Sequence, residues 1–283
     1  MTDYRTVISA AVVSAHLSNI NWVVLDCRFD LAHPGQSYQD YLAAHIPGAQ
    51  FVDLEADLSR PITADSGRHP LPSLDALKKT FGRLGIAPEC QVVAYDDAGG
   101  GYAARTWWSL RYAGHLRVAV LDGGFTAWVQ GGFQLREGLE TRPAVDFPSK
   151  PHDEMWVGAE TLMAQLEDEA QILLDSRARE RYLGDEEPID TQAGHIPGAI
   201  NRHWQDNLKP DGTWKDPEAL RQEYEAVLNG RPAASLTTYC GSGVTACHTI
   251  LSMAHAGYTG MRLYPGSWSE WIRDPARPIV GPG

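Results

Sequence analysis

The chain has few cysteines, no long apolar run and no excess of basic residues. Four cysteines among 283 residues are too few and too scattered for a disulfide framework, so we expect free thiols in a reducing cytoplasm. No apolar run approaches the ~20 residues that cross a bilayer, and the N-terminal stretch Met1–Arg5 lacks a signal-peptide pattern. A formal net charge of −12 argues against nucleic-acid binding, which needs a basic surface.

What the chain does contain is a repeat of itself. Ala44–Ala49 reads AHIPGA and recurs as GHIPGA at Gly194–Ala199. In each half an apolar strand ends in Asp and is followed two residues later by Arg, at Asp26 and Arg28 and again at Asp175 and Arg177. Two further pairs match in the same order, Val92–Asp96 with Leu236–Cys240 and Leu121–Trp128 with Leu263–Trp271. The period is domain-sized, which indicates two copies of one domain rather than a solenoid.

Each copy alternates short apolar strands with amphipathic helices, which is typical of an α/β domain built on a mainly parallel sheet flanked by helices. Helices are predicted to begin behind Ser73, an N-cap residue, and at Pro217. A proline-rich stretch without helical period separates the copies. The predicted division is therefore a first domain at 1–140, a linker at 141–155 and a second domain at 156–283.

The most informative residue is Cys240, which follows the β-leaning run Ala234–Tyr239 and precedes a helical pattern. A Gly-x-Gly loop at such a strand-to-helix turn can point backbone N–H groups at an anion, and the helix N-terminus adds partial positive charge. We therefore expect a thiol that ionises readily and acts as a nucleophile. The aligned position in the first copy is Asp96, so that copy is predicted to be non-catalytic.

These features resemble the tandem-domain rhodanese sulfurtransferases, and within them the enzymes that use 3-mercaptopyruvate. The resemblance is carried by the repeated His-Ile-Pro-Gly-Ala motif, the order of an inactive and an active copy, and the loop Cys240–Thr245. It implies two rhodanese-like domains and transfer of sulfur through a Cys240 persulfide. Neutral Gly241 and Ser242 favour mercaptopyruvate, because the thiosulfate-using relatives carry basic residues there.

The resemblance also implies the residues of the site. Arg181 matches the family's substrate arginine, and the loop residues Gly241, Gly243, Val244 and Thr245 would hold the sulfur-bearing anion. A second arginine that mercaptopyruvate enzymes commonly carry is missing, since Glu186–Asp190 stands in its place. Thiosulfate therefore stays open as the alternative donor.

A Ser-His-acid group is implied as well. Ser242 matches the serine, His69 the histidine, and Glu55 the acid that is usually aspartate in the family. Asp53 and Asp57 are rival partners for His69. The expected role is a polarised serine hydroxyl that assists the carbonyl or enolate of mercaptopyruvate.

The resemblance implies neither a metal nor an organic cofactor, and the expected acceptors are cyanide, a small thiol or reduced thioredoxin. A cysteine phosphatase would need an arginine six residues after the cysteine, where Ala246 stands. A persulfide carrier or scaffold protein is a lesser alternative, because it would not need Arg181, Ser242 and His69 together.

Several conspicuous residues have simpler interpretations. His45 and His195 recur in both copies and are interpreted as fold determinants. The acidic run Asp185–Glu187 is expected to be a solvated loop, and the structural alternative for Arg181 is a surface ion pair with Glu180 or Asp185. Cys247, two helical turns after Cys240, is expected to pack inside, and Trp204 and Trp214 are candidates for lining a cleft.

Overall fold

The computed structural model describes residues 3–281 of the chain. Met1 and Thr2, which belong to the N-terminal stretch considered above, and the last two residues lie outside the described residues. The chain forms two compact units. Among the described residues, the first comprises 3–59 together with Pro72–His152 and Leu208–Trp214, and the second comprises Arg60–Leu71, Asp153–Asn207 and 215–281.

The first unit is a five-stranded parallel sheet with helices in the connections. The strand order is β1-β5-β4-β2-β3. In chain order the elements are β1 (Val7–Ile8), α1 (Ala10–His16), β2 (Trp22–Asp26), α2 (Gln36–Ala43), β3 (Gln50–Phe51), α3 (Leu74–Arg83), β4 (Gln91–Tyr95), α4 (Ala103–Tyr112), β5 (Val118–Leu121) and α5 (Gly124–Gln130).

The second unit repeats this plan with a four-stranded parallel sheet in the order β7-β6-β8-β9. Its elements are α6 (Ala159–Ala164), β6 (Ile172–Asp175), α7 (Arg179–Leu183), β7 (Ile200–Asn201), α8 (Pro217–Leu228), β8 (Leu236–Tyr239), α9 (Thr245–His255), β9 (Arg262–Leu263) and α10 (Ser267–Trp271). Short 3₁₀ turns lie at Asp153–Met155, Trp204–Asn207 and Ala233–Ser235.

The predicted α/β class is therefore confirmed in both halves. The central strands β2, β4, β6 and β8 are buried at every position, as expected for parallel strands covered on both faces. The register pairs Asp26 with Tyr95 and Asp175 with Tyr239, so the central strands of each sheet end together. Cys240, the residue after β8, consequently emerges at the carboxyl edge of its sheet, where parallel sheets place their functional groups.

The predicted helix starts are also found. The Ser73 hydroxyl accepts a hydrogen bond from the Ala76 backbone N–H at 3.2 Å, and Pro217 is the first residue of α8. The strand before Cys240 is shorter than expected, because Ala233–Ser235 forms a 3₁₀ turn and β8 starts at Leu236.

The repeated Asp and Arg at the strand ends form buried ion pairs, and each arginine also hydrogen-bonds the backbone at the start of a His-Ile-Pro-Gly turn. Arg28 and Arg177 each pair with the Asp two residues earlier at 2.6 Å, and each donates to the carbonyl that precedes the motif histidine at 2.7 Å. Burial alone would lower the pKa of Arg177, but the Asp175 carboxylate outweighs it and raises that pKa above its ordinary value. Nδ1 of His45 and of His195 lies 2.7 Å from a backbone carbonyl oxygen, which agrees with a role in the fold.

The two units do not follow the order of the chain strictly. Residues 60–71, which lie between β3 and α3, belong to the second unit, and Leu208–Trp214 belongs to the first. The proline-rich stretch as far as His152 groups with the first unit, where Phe147 packs against Phe81. Over residues 3–281 no helix is long and apolar enough to span a membrane.

Candidate active site

Cys240 opens the loop between β8 and α9, and its side chain is buried. Its backbone N–H donates to Ser267 Oγ at 3.1 Å, and its carbonyl accepts from the Trp268 N–H at 3.0 Å. The next carbonyl, of Gly241, accepts from the Ser269 N–H at 2.9 Å. The start of α10 therefore fixes the first two residues of the loop.

The remaining loop residues turn the chain into α9. Gly243 has φ of +75°, and a Cβ there would collide with the carbonyl of Pro265, so the turn requires glycine. Val244 is buried at the N-cap position, and Thr245 is the first residue of α9. The thiol of Cys247 donates to the Gly243 carbonyl at 3.3 Å, so this second cysteine packs inside as expected.

The structure brings His69 and Ser242 together. Nδ1 of His69 lies 2.9 Å from Ser242 Oγ, and both side chains are buried. His69 reaches this position because residues 60–71 belong to the second unit. That segment is held by the Arg68 N–H, which donates to Ser269 Oγ at 3.1 Å, so the turn that fixes the Cys240 loop also fixes the histidine.

Glu55, the residue predicted as the acid, is exposed in the turn after β3 of the first unit. Its backbone N–H donates to Asp53 Oδ1 at 2.7 Å. Both rival carboxylates have other partners: Asp53 accepts two backbone N–H groups of this turn, and Asp57 pairs with Arg83 at the end of α3. The pairing of His69 with an acid stays a prediction.

Arg181 lies on α7 with its guanidinium beside the loop. Nη1 and Nη2 lie 3.3 and 3.4 Å from where a Cβ on Gly241 would stand. The guanidinium binds Glu187 through Nε and Nη2, the latter at 2.8 Å, and Asp190 at 3.0 Å. The structural alternative, a surface ion pair with Glu180 or Asp185, is not what the structure shows, because the loop after α7 folds back over Arg181 and supplies Glu187 and Asp190 as its partners.

The acidic run is accordingly not a solvated loop throughout. The Glu187 side chain is 4% exposed and accepts the backbone N–H groups of Ile189 and Asp190 as well as the guanidinium. Burial acts to raise the pKa of Glu187, but the hydrogen bonds from Arg181 and these N–H groups lower it below its ordinary value. For Asp190 burial outweighs the attraction of the neighbouring arginines and raises the pKa.

A second arginine, Arg68, was missed by the sequence analysis. Its Nη2 lies 2.8 Å from the position of a Cβ on Gly241, nearer than either nitrogen of Arg181. It also forms a short ion pair with Asp190. The available signal was its place directly before His69, in a segment expected to reach the cysteine.

The corresponding loop of the first unit is filled by its own side chain. The Asp96 carboxylate, which is fully buried, accepts four backbone N–H groups at 2.8–2.9 Å, from Ala98, Gly100, Tyr102 and Ala103. Burial raises the pKa of Asp96, and the four donors act in the opposite direction. These four donors are therefore occupied by the loop's own carboxylate, and the non-catalytic role of the first unit stays a prediction.

The two tryptophans considered for a cleft differ in their surroundings. Trp214 is buried, and its N–H donates to Asp122 in the first unit at 2.9 Å. Trp204 is half-buried and stands edge-on to His248, with ring centroids 4.9 Å apart.

The comparisons with known proteins agree with this architecture. A family model for the rhodanese-like domain matches residues 9–131 and 158–274. A probable 3-mercaptopyruvate sulfurtransferase of Pseudomonas aeruginosa is 46% identical over 275 residues, which is 96% of this chain and 97% of that protein. The thiosulfate sulfurtransferase of Bos taurus is 36% identical over 92% of this chain and 88% of its own length. The solved structure of 3-mercaptopyruvate sulfurtransferase from Leishmania major has a TM-score of 0.84 and 29% identity, covering 94% of this chain and 74% of that one.

Two matched domains and relatives this similar over most of their length show the family. The chain belongs to the rhodanese family, and its relatives are named sulfurtransferases.

Proposed function

We propose that the protein is a sulfurtransferase that takes sulfur from 3-mercaptopyruvate onto Cys240 and passes it to a nucleophilic acceptor. The observation that supports this proposal is the set of side chains around the cysteine loop. An arginine guanidinium lies beside Gly241, and the His69–Ser242 pair lies at the next residue. A carboxylate, a carbonyl and a sulfur of one small donor would each meet a suitable group there. The relative from Pseudomonas aeruginosa bears the name of this activity.

In the first half-reaction the Cys240 thiolate attacks the sulfur of mercaptopyruvate. A sulfur–sulfur bond forms, the carbon–sulfur bond breaks, and its electron pair leaves on the carbon as the enolate of pyruvate. The enolate then takes up a proton. The Ser242 hydroxyl, polarised by His69, is placed to assist the carbonyl oxygen on which negative charge develops.

In the second half-reaction an acceptor attacks the outer sulfur of the Cys240 persulfide and restores the thiolate. Cyanide, a small thiol and reduced thioredoxin are suitable acceptors, because each presents a nucleophilic carbon or sulfur. Two half-reactions through a covalent intermediate predict ping-pong kinetics. All four cysteines are free, which is consistent with our proposal of a cytoplasmic enzyme.

Thiosulfate is the second candidate donor, and the relative from Bos taurus bears the name of that activity. The specific observation in its favour is the pair of guanidinium groups at Gly241, since a dianion gains more than a monoanion from two cations. Glu187 and Asp190 offset that charge, which favours the monoanionic donor. A persulfide carrier remains the lesser alternative.

The test is a comparison of kcat/KM for the purified protein with 3-mercaptopyruvate and with thiosulfate, using cyanide as the common acceptor. We expect a preference of about tenfold or more for mercaptopyruvate, which corresponds to about 1.4 kcal/mol of transition-state binding. A preference for thiosulfate would establish the second candidate. Turnover of neither donor, with a persulfide still accepted from another protein, would indicate the carrier.

A further inference from the structure

Two guanidinium groups approach the backbone of Gly241, the residue directly after Cys240. A Cβ at this position would lie 2.8 Å from Nη2 of Arg68 and 3.3 Å from Nη1 of Arg181. The absence of a side chain at Gly241 is therefore what allows both cations to reach the loop. An anion bound beside the thiol would meet Arg68 as well as Arg181.

A carboxylate already bridges the two cations. Asp190 places one oxygen on Arg68 and the other on Arg181, the latter at 3.0 Å. The Asp190 side chain is 5% exposed, against 21% for Arg68 and 16% for Arg181. A carboxylate held between guanidinium groups is the geometry in which arginines bind a carboxylate ligand. Asp190 thus shows where such a group fits.

The two carboxylates near Arg181 are held differently. Glu187 is anchored by the backbone N–H groups of Ile189 and Asp190 and by Arg177 in addition to Arg181. The hydrogen bonds to the Asp190 carboxylate come from the two guanidinium groups alone in the part of the chain that the structure describes. Displacing the Asp190 carboxylate from the guanidinium groups therefore breaks fewer hydrogen bonds than displacing that of Glu187.

Arg68 also has donor capacity left. Its Nε is buried and has no hydrogen-bond partner among residues 3–281. A buried N–H without a partner is costly, and an anion that reached it would recover that cost.

We propose that Arg68 is a second donor-binding cation beside Arg181, and that Asp190 is an internal carboxylate that occupies both until the carboxylate of the donor displaces it. The inference deepens the proposed function, since it rests on a carboxylate donor at Cys240. It explains how the site binds the carboxylate of the donor with two arginines although Glu186–Asp190 contains none.

The experiment compares Arg68→Gln, Arg68→Lys and Asp190→Asn with Arg60→Gln as the matched control, an exposed arginine in the same segment. One readout is the separate KM and kcat for 3-mercaptopyruvate. The other is independent of sulfur transfer: the concentration of pyruvate that protects Cys240 from alkylation by iodoacetamide, followed by mass spectrometry.

Loss of a charge-assisted hydrogen bond to a bound carboxylate predicts that Arg68→Gln raises both KM and the protecting pyruvate concentration roughly tenfold or more. We expect kcat to change less than about twofold, because the interaction is equally present in the ground and transition states. Arg68→Lys should recover part of the loss, Asp190→Asn should lower both values several-fold, and Arg60→Gln should match the unaltered protein.

Unchanged pyruvate protection in Arg68→Gln overturns the assignment of Arg68, and unchanged or weaker protection in Asp190→Asn overturns the role given to Asp190. If the Arg68 variants fail to fold, as judged by circular dichroism, Asp190→Asn decides alone. If the protein does not turn over mercaptopyruvate but the variants show the expected pattern of pyruvate protection, the proposed function is refuted. The assignment of Arg68 as a second carboxylate-binding cation is then still supported.

Discussion

His69 Nδ1 lies 2.9 Å from Ser242 Oγ, although the two residues are 173 positions apart. The contact exists because the segment 60–71 is part of the second unit, where the Arg68 N–H binds Ser269. Ser242 is two residues after Cys240, so His69 contacts the cysteine loop through the serine hydroxyl.

Removal of either member of this pair should slow turnover of mercaptopyruvate more than that of thiosulfate. Ser242→Ala and His69→Asn each remove assistance to a carbonyl that only mercaptopyruvate carries, and we expect kcat to fall roughly 10- to 100-fold. The double variant should be little worse than the single ones, since the two residues work as a unit. Equal losses with both donors, measured with cyanide as acceptor, would contradict the role given to the pair.

Replacement of the nucleophile should abolish the reaction without unfolding the protein. Cys240→Ser keeps the size and burial of the side chain but lacks a sulfur that can accept the outer sulfur atom. We expect less than about 1% of the kcat of the unaltered enzyme, with an unchanged circular dichroism spectrum. Cys90→Ala, at a buried thiol of the first unit, is the control and should stay active. Persistent sulfur transfer in Cys240→Ser would remove Cys240 from the mechanism.

The first unit should depend on Asp96 for stability. Asp96→Ala leaves four backbone N–H groups without their carboxylate, and we expect a loss of about 3 kcal/mol in the free energy of unfolding. Urea denaturation measures it, with Asp97→Asn at the exposed neighbouring position as the control. Full stability in Asp96→Ala would show that the loop does not need its internal anion.

The Glu187 carboxylate should add to the free energy of unfolding near neutral pH and lose this contribution in acid. Its pKa is lower in the folded protein than in the unfolded chain, because pairing with Arg181 outweighs burial. Its contribution is therefore complete above the ordinary pKa of a glutamate and is lost as the pH falls through the lowered, folded value. The free energy of unfolding in urea, measured from pH 7 down to pH 3.5, should fall less steeply with decreasing pH for Glu187→Gln than for the unaltered protein. A curve parallel to that of the unaltered protein would disprove the contribution.

The sequence was sufficient for the fold because the fold depends on local, repeated signals. Three signals are visible along the chain: the strand-end Asp and Arg, the His-Ile-Pro-Gly turns, and the match of Asp96 with Cys240. The structure has the Asp–Arg ion pair in each half, and it places Asp96 and Cys240 at equivalent positions, directly after β4 and β8. The cysteine loop could be located for the same reason.

The surroundings of the loop could not be predicted in this way. Arg68 and Asp190 are 122 positions apart, and their contact depends on how two irregular segments fold back, which no periodicity encodes. The acidic run was interpreted as solvated because charged residues usually are. In the structure Glu187 is buried, and its carboxylate is bound by two guanidinium groups and two backbone N–H groups.

The grouping of residues 60–71 with the second unit has a consequence for any attempt to divide the protein. A fragment that started in the proline-rich stretch would contain Cys240, Arg181 and all four strands of the second unit's sheet. It would lack Arg68 and His69, because both are encoded upstream, between β3 and α3. Such a fragment would contain every strand of its sheet and still lack two side chains on which the proposed function depends, since the gene encodes them in the other half.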